Sequence, residues 1–257
     1  MLNQFPLFDS HFHIIDKRFP LIPNNGYLPD EFTCDDYLTR ISDYDLCGGA
    51  IVSGSFQAFD QTYLIAALKN LGPKFVGVTQ LPATTTDNEI IELNKVGVRA
   101  LRFNLKRGGS ENVAHIATMA HRIYDIAKWH IELYVDSAEL PELYDTLIQL
   151  PSVSIDHLGL NKSGLPLLAK LVEKNIRVKA TGFGRVDFDI NKTLKDLYSI
   201  NPHALLFGTD LPSTRAPTPY QDDDFLRVID ALGTTAATNI FSQNAIQFYK
   251  PAAQDIL

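Results

Sequence analysis

The sequence predicts a single-domain (β/α)8 TIM barrel of the α/β class, and three observations support this prediction. Short runs rich in β-forming residues alternate along the chain with segments of helical periodicity. Eight such runs are present, which is the number that closes a barrel. The length of 257 residues is close to the ~250 residues typical of the fold. A doubly wound open sheet is the alternative that the same alternation allows.

The predicted strands are short and apolar, as buried parallel strands are. They cover residues 6–10, 49–53, 75–79, 98–103, 131–135, 153–155, 177–180 and 204–207. Helices are predicted where apolar residues recur at spacings of three and four, at 63–68, 90–93, 116–129, 165–172 and 225–232. Asp87 is predicted at the N-cap of the second helix and Gly97 in its C-cap region. No linker interrupts the chain, so one domain is predicted over residues 1–257.

Residues 14–36 have little periodicity and contain Pro20, Pro23 and Pro29. We predict a long loop here, after the first strand. Barrels carry their active sites on the face where such loops lie.

The composition excludes several classes of protein. Hydrophobic residues make up 45% and charged residues 21%, a globular balance. The net charge of -7 and the absence of a Lys/Arg run exclude a nucleic-acid partner. No apolar stretch is long enough to span a membrane, and the first residues do not resemble a signal peptide, so a cytoplasmic protein with no membrane partner is expected. Cys34 and Cys47 are interpreted as reduced thiols, with a disulfide as the alternative. The oligomeric state is not indicated.

Two histidines follow the first predicted strand, in the run Asp9-Ser10-His11-Phe12-His13. Because alternate residues of a strand point to the same side, His11 and His13 can point together. Such a pair suits the binding of a metal or the polarisation of a carbonyl group. Taken alone, the motif is a weak signal, because two hydrogen-bonded structural histidines would give the same pattern.

Two further polar residues end predicted strands. His157 follows the sixth strand and Asp210 follows the eighth. Each is a weak signal alone, and Asp210 could instead cap a helix or a turn. The C-terminal ends of barrel strands converge on one cavity, so these two residues together with His11 and His13 predict one active site. There, an Asp can act as a general base or as a metal ligand.

Arginines lie at other strand ends. Arg102 lies in the fourth strand and Arg185 follows the seventh. A guanidinium binds a carboxylate through two parallel hydrogen bonds. In an acidic chain, such arginines predict a small carboxylated substrate. Arg99 and Arg107 are interpreted as surface ion-pairing residues. No GxSxG elbow is present, which argues against a serine esterase of the α/β-hydrolase type.

Together these motifs resemble the amidohydrolase superfamily in its amidohydrolase-2 branch. More narrowly, the chain is similar to the 2-pyrone-4,6-dicarboxylate lactonase-like hydrolases. The similarity runs nearly end to end. It includes DSHFHI at 9–14, GVRALRFN at 97–104, WHIEL at 129–133, IDHLG at 155–159 and GTDLP at 208–212.

The resemblance implies a role for each matching residue. It places four residues in the active site, where the Asp acts as a base toward water and the histidines polarise the lactone carbonyl: His11, His13, His157 and Asp210. It implies that five others bind the substrate: Tyr27, Ser55, Arg102, Tyr134 and Arg185.

The chain departs from the metal-dependent relatives in two places. Those relatives carry a carboxylated Lys or a Glu after strand four and a His after strand five, where this chain has Asn104 and Asp136. The lactonase branch lacks the same ligands, so the resemblance implies that no metal is obligatory. One Zn²⁺ or another divalent metal ion held by His11, His13 and Asp210 is the alternative.

Three hypotheses follow. The first is a hydrolase that opens a lactone or a similar cyclic ester of a carboxylated small molecule, with water activated by Asp210. The second is a mononuclear-zinc amidohydrolase or decarboxylase. The third is a non-catalytic barrel that binds a small acid, for which an intact base would be unnecessary. The sequence does not identify the substrate or the pathway.

Overall fold

The computed structural model describes residues 2–252 and contains one sheet of eight parallel strands in chain order. The strands are β1 (Pro6–Phe12), β2 (Asp45–Val52), β3 (Phe75–Thr79), β4 (Val98–Asn104), β5 (His130–Tyr134), β6 (Val153–Ile155), β7 (Arg177–Ala180) and β8 (Leu205–Phe207). The segment after β8 returns to β1, where the backbone N–H of Asp210 donates to the carbonyl of His11 at 2.7 Å. The (β/α)8 barrel is thereby confirmed. A single domain over residues 1–257 stays a prediction, and residues 1 and 253–257 lie outside the described part of the chain.

The helices lie between the strands and after β8. They are α1 (Cys34–Arg40), α2 (Thr62–Leu71), α3 (Asp87–Lys95), α4 (Ile116–Ala127), α5 (Leu140–Leu147), α6 (Leu165–Glu173), α7 (Ile190–Ile200), α8 (Asp222–Leu232), α9 (Thr234–Thr238) and α10 (Asn244–Tyr249). None of these described helices is long and apolar enough to cross a membrane.

Several helix boundaries differ from the prediction. The N-cap of α3 is Thr86, whose hydroxyl accepts from the backbone of Glu89 while the Glu89 carboxylate accepts in return. This reciprocal pair takes the position predicted for Asp87, which is instead the first helical residue. Helical periodicity did not predict α1, α5, α7, α9 or α10, and α1 replaces the last residues of the predicted loop at 14–36. Cys34 and Cys47 are both free and buried.

The core consists of two clusters of apolar side chains. The larger cluster lies between the sheet and the surrounding helices, and includes Phe75 of β3. The smaller one includes Val76 and Val78 of the same strand, so it faces the barrel interior. Its other members are Phe8, Cys47, Ala50, Val52, Ala100, Leu206, Ala245 and Tyr249.

The seam between β8 and β1 positions two of the predicted site residues. The buried carboxylate of Asp9 accepts hydrogen bonds from the backbone N–H and the hydroxyl of Thr209, at 2.8 and 2.6 Å. Burial raises the pKa of Asp9 to about 6, although the bonds from Thr209 oppose this rise. At Gly208, a Cβ would meet the backbone nitrogen of His11 at 2.6 Å. Only glycine therefore allows the chain before Asp210 to approach β1 this closely.

Candidate active site

The structure brings the four predicted active-site side chains together at the C-terminal end of the barrel. His11 lies in β1 and His13 one residue beyond it, while His157 and Asp210 follow β6 and β8. The Nε2 atoms of His11 and His13 lie 3.9 and 3.8 Å from Oδ1 of Asp210. The rings of His11 and His157 are 4.8 Å apart between centroids. All four residues are buried. Their catalytic roles remain predictions.

Two of these residues have unusual backbone conformations. The φ angles of His157 and Asp210 are 52° and 61°, in the left-handed region. Such a conformation costs a non-glycine residue on the order of 1–3 kcal/mol and is concentrated at functional sites. Beside His157, a Cβ at Gly182 would meet Nδ1 of the imidazole at 2.5 Å. The glycine after β7 therefore makes room for the histidine.

Asp210 is an ionised carboxylate with one occupied and one free oxygen. Arg185 holds Oδ2, with Nε at 2.7 Å and Nη2 at 2.6 Å. Among the described residues, no group donates a hydrogen bond to Oδ1. Burial alone would raise the pKa of Asp210, but Arg185 and then His157 outweigh it and hold this pKa far below its usual range. The free oxygen faces the histidines.

Two of the histidines are neutral imidazoles at neutral pH. Burial, reinforced by the nearby charge of Lys179, lowers the pKa of His11 to about 3. Burial also holds the pKa of His157 well below its ordinary value. For His13, Nδ1 lies 2.7 Å from the carbonyl oxygen of Val52, which can only accept. When neutral, His13 therefore carries its hydrogen on Nδ1 and a lone pair on Nε2.

A layer of four buried charged residues lies against the site, and the sequence analysis assigned a role only to Arg102 and missed the other three: Glu132, Asp156 and Lys179. Nζ of Lys179 lies 2.5 Å from Oε2 of Glu132 and 3.2 Å from Nδ1 of His11. It also lies 3.7 Å from Oδ1 of Asp156, whose Oδ2 accepts from Arg102 at 2.8 Å. For Glu132 and Lys179, the available signal was a charged residue flanked by apolar residues within a predicted strand. A charge buried in a strand needs an opposite partner.

Most of the predicted substrate-binding residues line the cavity above the histidines. They are Ser55, Arg102, Tyr134 and Arg185. Arg102 is already engaged, since it also donates to the carbonyl of Ser53 at 2.7 Å. Tyr27 is not one of the lining residues. Its ring lies 4.2 Å beneath the guanidinium of Arg215, which does line the cavity.

Two arginines differ from the prediction of surface ion pairs. Arg99 donates to the backbone carbonyls of Asn94 and Val98, at 2.8 and 2.7 Å, and no carboxylate among residues 2–252 accepts from it. Arg107 lines the cavity, because the loop after β4 turns back at Gly108, whose N–H donates to the carbonyl of Asn104. Within residues 2–252, the Arg107 guanidinium has no hydrogen-bond or ion-pair partner. It is half-buried.

The residues that could hold a metal ion differ from the predicted set. Ligand atoms of His11, His157 and Asp210 lie within 4.8 Å of one another, so His157 takes the place assigned to His13. His13 is not in this group, although its Nε2 and that of His11 lie 3.8 and 3.9 Å from the same oxygen of Asp210. The His13 ring is held by the carbonyl oxygen of Val52, which lies 2.7 Å from Nδ1. A second group consists of His11, Glu132 and Asp156.

The chain is similar to a known protein family and to several named proteins. Residues 8–250 match the family model described as Amidohydrolase. The chain is 27% identical over 156 residues to a 2-pyrone-4,6-dicarboxylate hydrolase of Comamonas testosteroni, a match that covers 59% of this chain and 51%, about half, of that protein. It is 23% identical over 243 residues to a 4-sulfomuconolactone hydrolase of Rhizobium radiobacter, covering 86% of this chain and 81% of that one.

Solved structures share the fold. A protein of Agrobacterium tumefaciens superposes with a TM-score of 0.87 at 18% identity, covering 97% of both chains. A probable 2-pyrone-4,6-dicarboxylic acid hydrolase of Acinetobacter baumannii, with citric acid bound, gives a TM-score of 0.82 at 21% identity, covering 95% of this chain and 99% of that one. The match to the family model over nearly the whole chain shows the family. The chain belongs to the amidohydrolase family of hydrolases.

Proposed function

We propose that this hydrolase opens a lactone, or a similar cyclic ester, of a carboxylated small molecule. One observation carries the proposal. The free Oδ1 of Asp210 faces His11 and His13, and it lies next to a cavity that is lined by His13, His157 and several arginines. The names of the two curated relatives, which are hydrolases of a pyrone dicarboxylate and of a sulfomuconolactone, support a cyclic and anionic substrate.

In the proposed reaction, Oδ1 of Asp210 takes a proton from water, and the water oxygen attacks the lactone carbonyl carbon. The ring C–O bond then breaks, and Asp210 returns the proton to the leaving oxygen. The histidines stabilise the developing oxyanion. A neutral His13 presents a lone pair at Nε2, so it stabilises the oxyanion only when it is protonated there.

Arg185 has two roles in the proposed reaction: it sets the pKa of Asp210, and it can contact a substrate carboxylate. Its ion pair keeps the pKa of Asp210 low, which makes the carboxylate a weak base in the absence of substrate. A substrate carboxylate that draws on the same guanidinium would weaken the pair and raise that pKa. Substrate binding would then strengthen the base that acts on water.

Arg107 can bind a charged group of the substrate without breaking an existing ion pair of the site. Arg102 and Arg185 each hold a buried carboxylate, whereas Arg107 has no partner among the described residues. We therefore assign a substrate carboxylate to Arg107. The citric acid bound in the Acinetobacter baumannii structure supports the choice of a carboxylated ligand.

The proposed reaction needs no metal. His11, His157 and Asp210 are residue types that bind zinc, and their atoms lie close together. However, a histidine that binds a metal usually donates its other nitrogen to a carboxylate or carbonyl. The hydrogen-bond partner of Nδ1 of His11 is instead the cationic Lys179, and Arg185 occupies Asp210. This arrangement fits a divalent ion poorly, and a single-metal amidohydrolase or decarboxylase remains the second candidate.

The test is a panel of neutral, monocarboxylic and dicarboxylic lactones, with opening followed by acid release. We expect the dicarboxylic lactones to be opened with the highest kcat/KM. Cleavage of amides or loss of carbon dioxide, without lactone opening, would favour the second candidate. Saturable binding without turnover would favour a barrel that only binds small acids.

A further inference from the structure

Lys179 lies outside the predicted catalytic set, yet its ammonium contacts the site directly. It is fully buried, and three acceptors surround it: Oε2 of Glu132 at 2.5 Å, Nδ1 of His11 at 3.2 Å and Oδ1 of Asp156 at 3.7 Å. A lysine ammonium has three N–H donors and no acceptor. Each of the three neighbours can therefore face one hydrogen of Lys179.

This contact bears on the position of the His11 hydrogen. A neutral imidazole carries one hydrogen, on either Nδ1 or Nε2, and the partner of one nitrogen decides which. If Nδ1 of His11 carried the hydrogen, that hydrogen would oppose the ammonium of Lys179. If Nδ1 is bare, it accepts from Lys179, and the hydrogen lies on Nε2.

One neighbour favours the opposite tautomer. Oδ1 of Asp156 lies 3.5 Å from Nδ1 of His11 and could accept from it. That distance exceeds the range of normal N–H···O hydrogen bonds, and Oδ1 accepts no hydrogen bond from the described residues. The contact with Lys179 is shorter, so the geometry favours a hydrogen on Nε2.

We propose that Lys179 is a positioning residue that holds His11 as the Nε2–H tautomer, with this N–H directed into the active site as a hydrogen-bond donor. Nε2 of His11 has no hydrogen-bond partner within the described chain, and it lies 3.9 Å from Oδ1 of Asp210. The N–H is therefore free for a substrate oxygen. What it does there rests on the proposed lactone opening.

Under this proposal, His11 and His13, the two histidines of one motif, carry their hydrogens on different ring nitrogens. Val52 fixes the hydrogen of neutral His13 on Nδ1, so His13 presents an acceptor to the cavity. Lys179 leaves Nδ1 of His11 bare, so His11 presents a donor. An HxH motif looks symmetrical in sequence, but its two imidazoles then have opposite hydrogen-bonding polarity.

The direct test is long-range ¹H–¹⁵N NMR of protein labelled on histidine, at neutral pH and without substrate. The His11 signals are assigned by their loss in His11→Gln. We expect a protonated Nε2 and an unprotonated Nδ1 for His11, and the reverse for His13 if it is neutral. A protonated Nδ1 on His11 in the wild-type protein would overturn the proposal, whether or not any lactone is opened.

A pair of variants tests the role of Lys179 itself. Lys179→Met combined with Glu132→Gln removes both members of the ion pair, so no unpaired charge of that pair remains buried. We expect His11 to change to the Nδ1–H tautomer, facing Asp156, and kcat to fall about 10²–10³-fold, as on loss of one oxyanion donor. KM should change far less.

The matched control is Glu132→Gln alone, which keeps Lys179 beside His11. We expect its His11 to retain the Nε2–H tautomer. A double variant that keeps this tautomer, or loses kcat without a tautomer change, would show that Lys179 acts only on the structure. If the double variant does not fold, the wild-type spectrum still decides the proposal.

Discussion

The interior of the barrel has two unlike halves. Strands β1 to β3 and β8 contribute apolar side chains, among them Phe8, Val52, Val78 and Leu206. From β4 to β7, the corresponding region contains the buried charges Arg102, Glu132, Asp156 and Lys179. The first half is held by packing, and the second by ion pairs.

The apolar half contributes mainly to the stability of the fold, whereas the charged half acts on the reactivity of the site. Apolar packing stabilises a fold without acting on a proton. The charged half determines the electrostatics of the residues above it: Lys179 reinforces the low pKa of His11, and Arg102 holds Asp156. Substitutions in the first half should therefore change the free energy of unfolding, and those at the site should change turnover.

The largest effect is expected from Asp210→Asn. The amide keeps the shape but cannot take a proton from water, so kcat should fall by at least about 10²–10⁴-fold, the usual contribution of a general base. The free energy of unfolding should also fall, because the buried guanidinium of Arg185 loses its charged partner, so turnover is compared under conditions where both proteins are folded. Asp223→Asn, at an exposed position of α8, is the control and should retain full turnover. Near-normal turnover in folded Asp210→Asn would remove the aspartate from the mechanism.

Phe8→Ala tests the apolar half. Phe8 is fully buried and stacks on Tyr249 with ring centroids 5.6 Å apart. Truncation should lower the free energy of unfolding by about 3–5 kcal/mol, measured by chemical denaturation, with kcat nearly unchanged below the transition. Phe59→Ala, at a side chain that is 41% exposed, should cost less than about 0.5 kcal/mol. A loss of kcat in Phe8→Ala comparable to that in Asp210→Asn would mean that the two halves are not independent.

Arg107→Met and Arg185→Met distinguish substrate binding from support of Asp210. Losing a charge-assisted bond should lower kcat/KM about 10- to 100-fold. For Arg107→Met, this loss should appear with a carboxylated lactone and not with a matched neutral one. For Arg185→Met, kcat/KM should fall with both substrates, because the Asp210 carboxylate loses the two contacts that fix its position, and this loss should outweigh the gain in basicity. A loss confined to the charged substrate in Arg185→Met would show that Arg185 acts only by binding the substrate carboxylate.

The sequence was sufficient to predict the barrel fold and the four residues of the candidate active site, but not the charged half of the barrel interior. Eight apolar runs and the polar residues at their ends sufficed for the barrel and for the grouping of His11, His13, His157 and Asp210. The charged half was missed because Glu132 and Lys179 are partners only in space, from strands that are not neighbours. The role of Arg107 depends on a loop turning back, which periodicity does not describe.

A smaller effect is expected on the pH dependence of the free energy of unfolding, through His157. His157 stays neutral when folded, because burial lowers its pKa, although Asp210 opposes this and Arg185 and His11 add to it. Unfolded histidine takes up a proton near its ordinary pKa, so the stability contributed above that pKa is lost as the pH falls. From about pH 7 to about pH 5.5, this should cost about 1 kcal/mol for one such histidine.

The measurement is the difference in unfolding free energy between the two pH values. It should be smaller in His157→Gln than in wild type, and unchanged in the control His203→Gln, whose histidine is exposed. Asp9, with a pKa raised to about 6, acts in the opposite direction and is common to all three proteins. Equal pH dependence in His157→Gln and wild type would contradict a neutral buried His157.

Removal of metal ions is expected to have no effect on turnover, and this experiment tests the central claim most directly. That claim is that the protein's own buried charges open a carboxylated lactone without an obligatory metal. The measurement is the turnover of such a lactone before and after prolonged chelation, with bound metal quantified by elemental analysis. We predict unchanged turnover in metal-free protein. Activity that is lost with a stoichiometric metal ion and restored by its return would contradict the account.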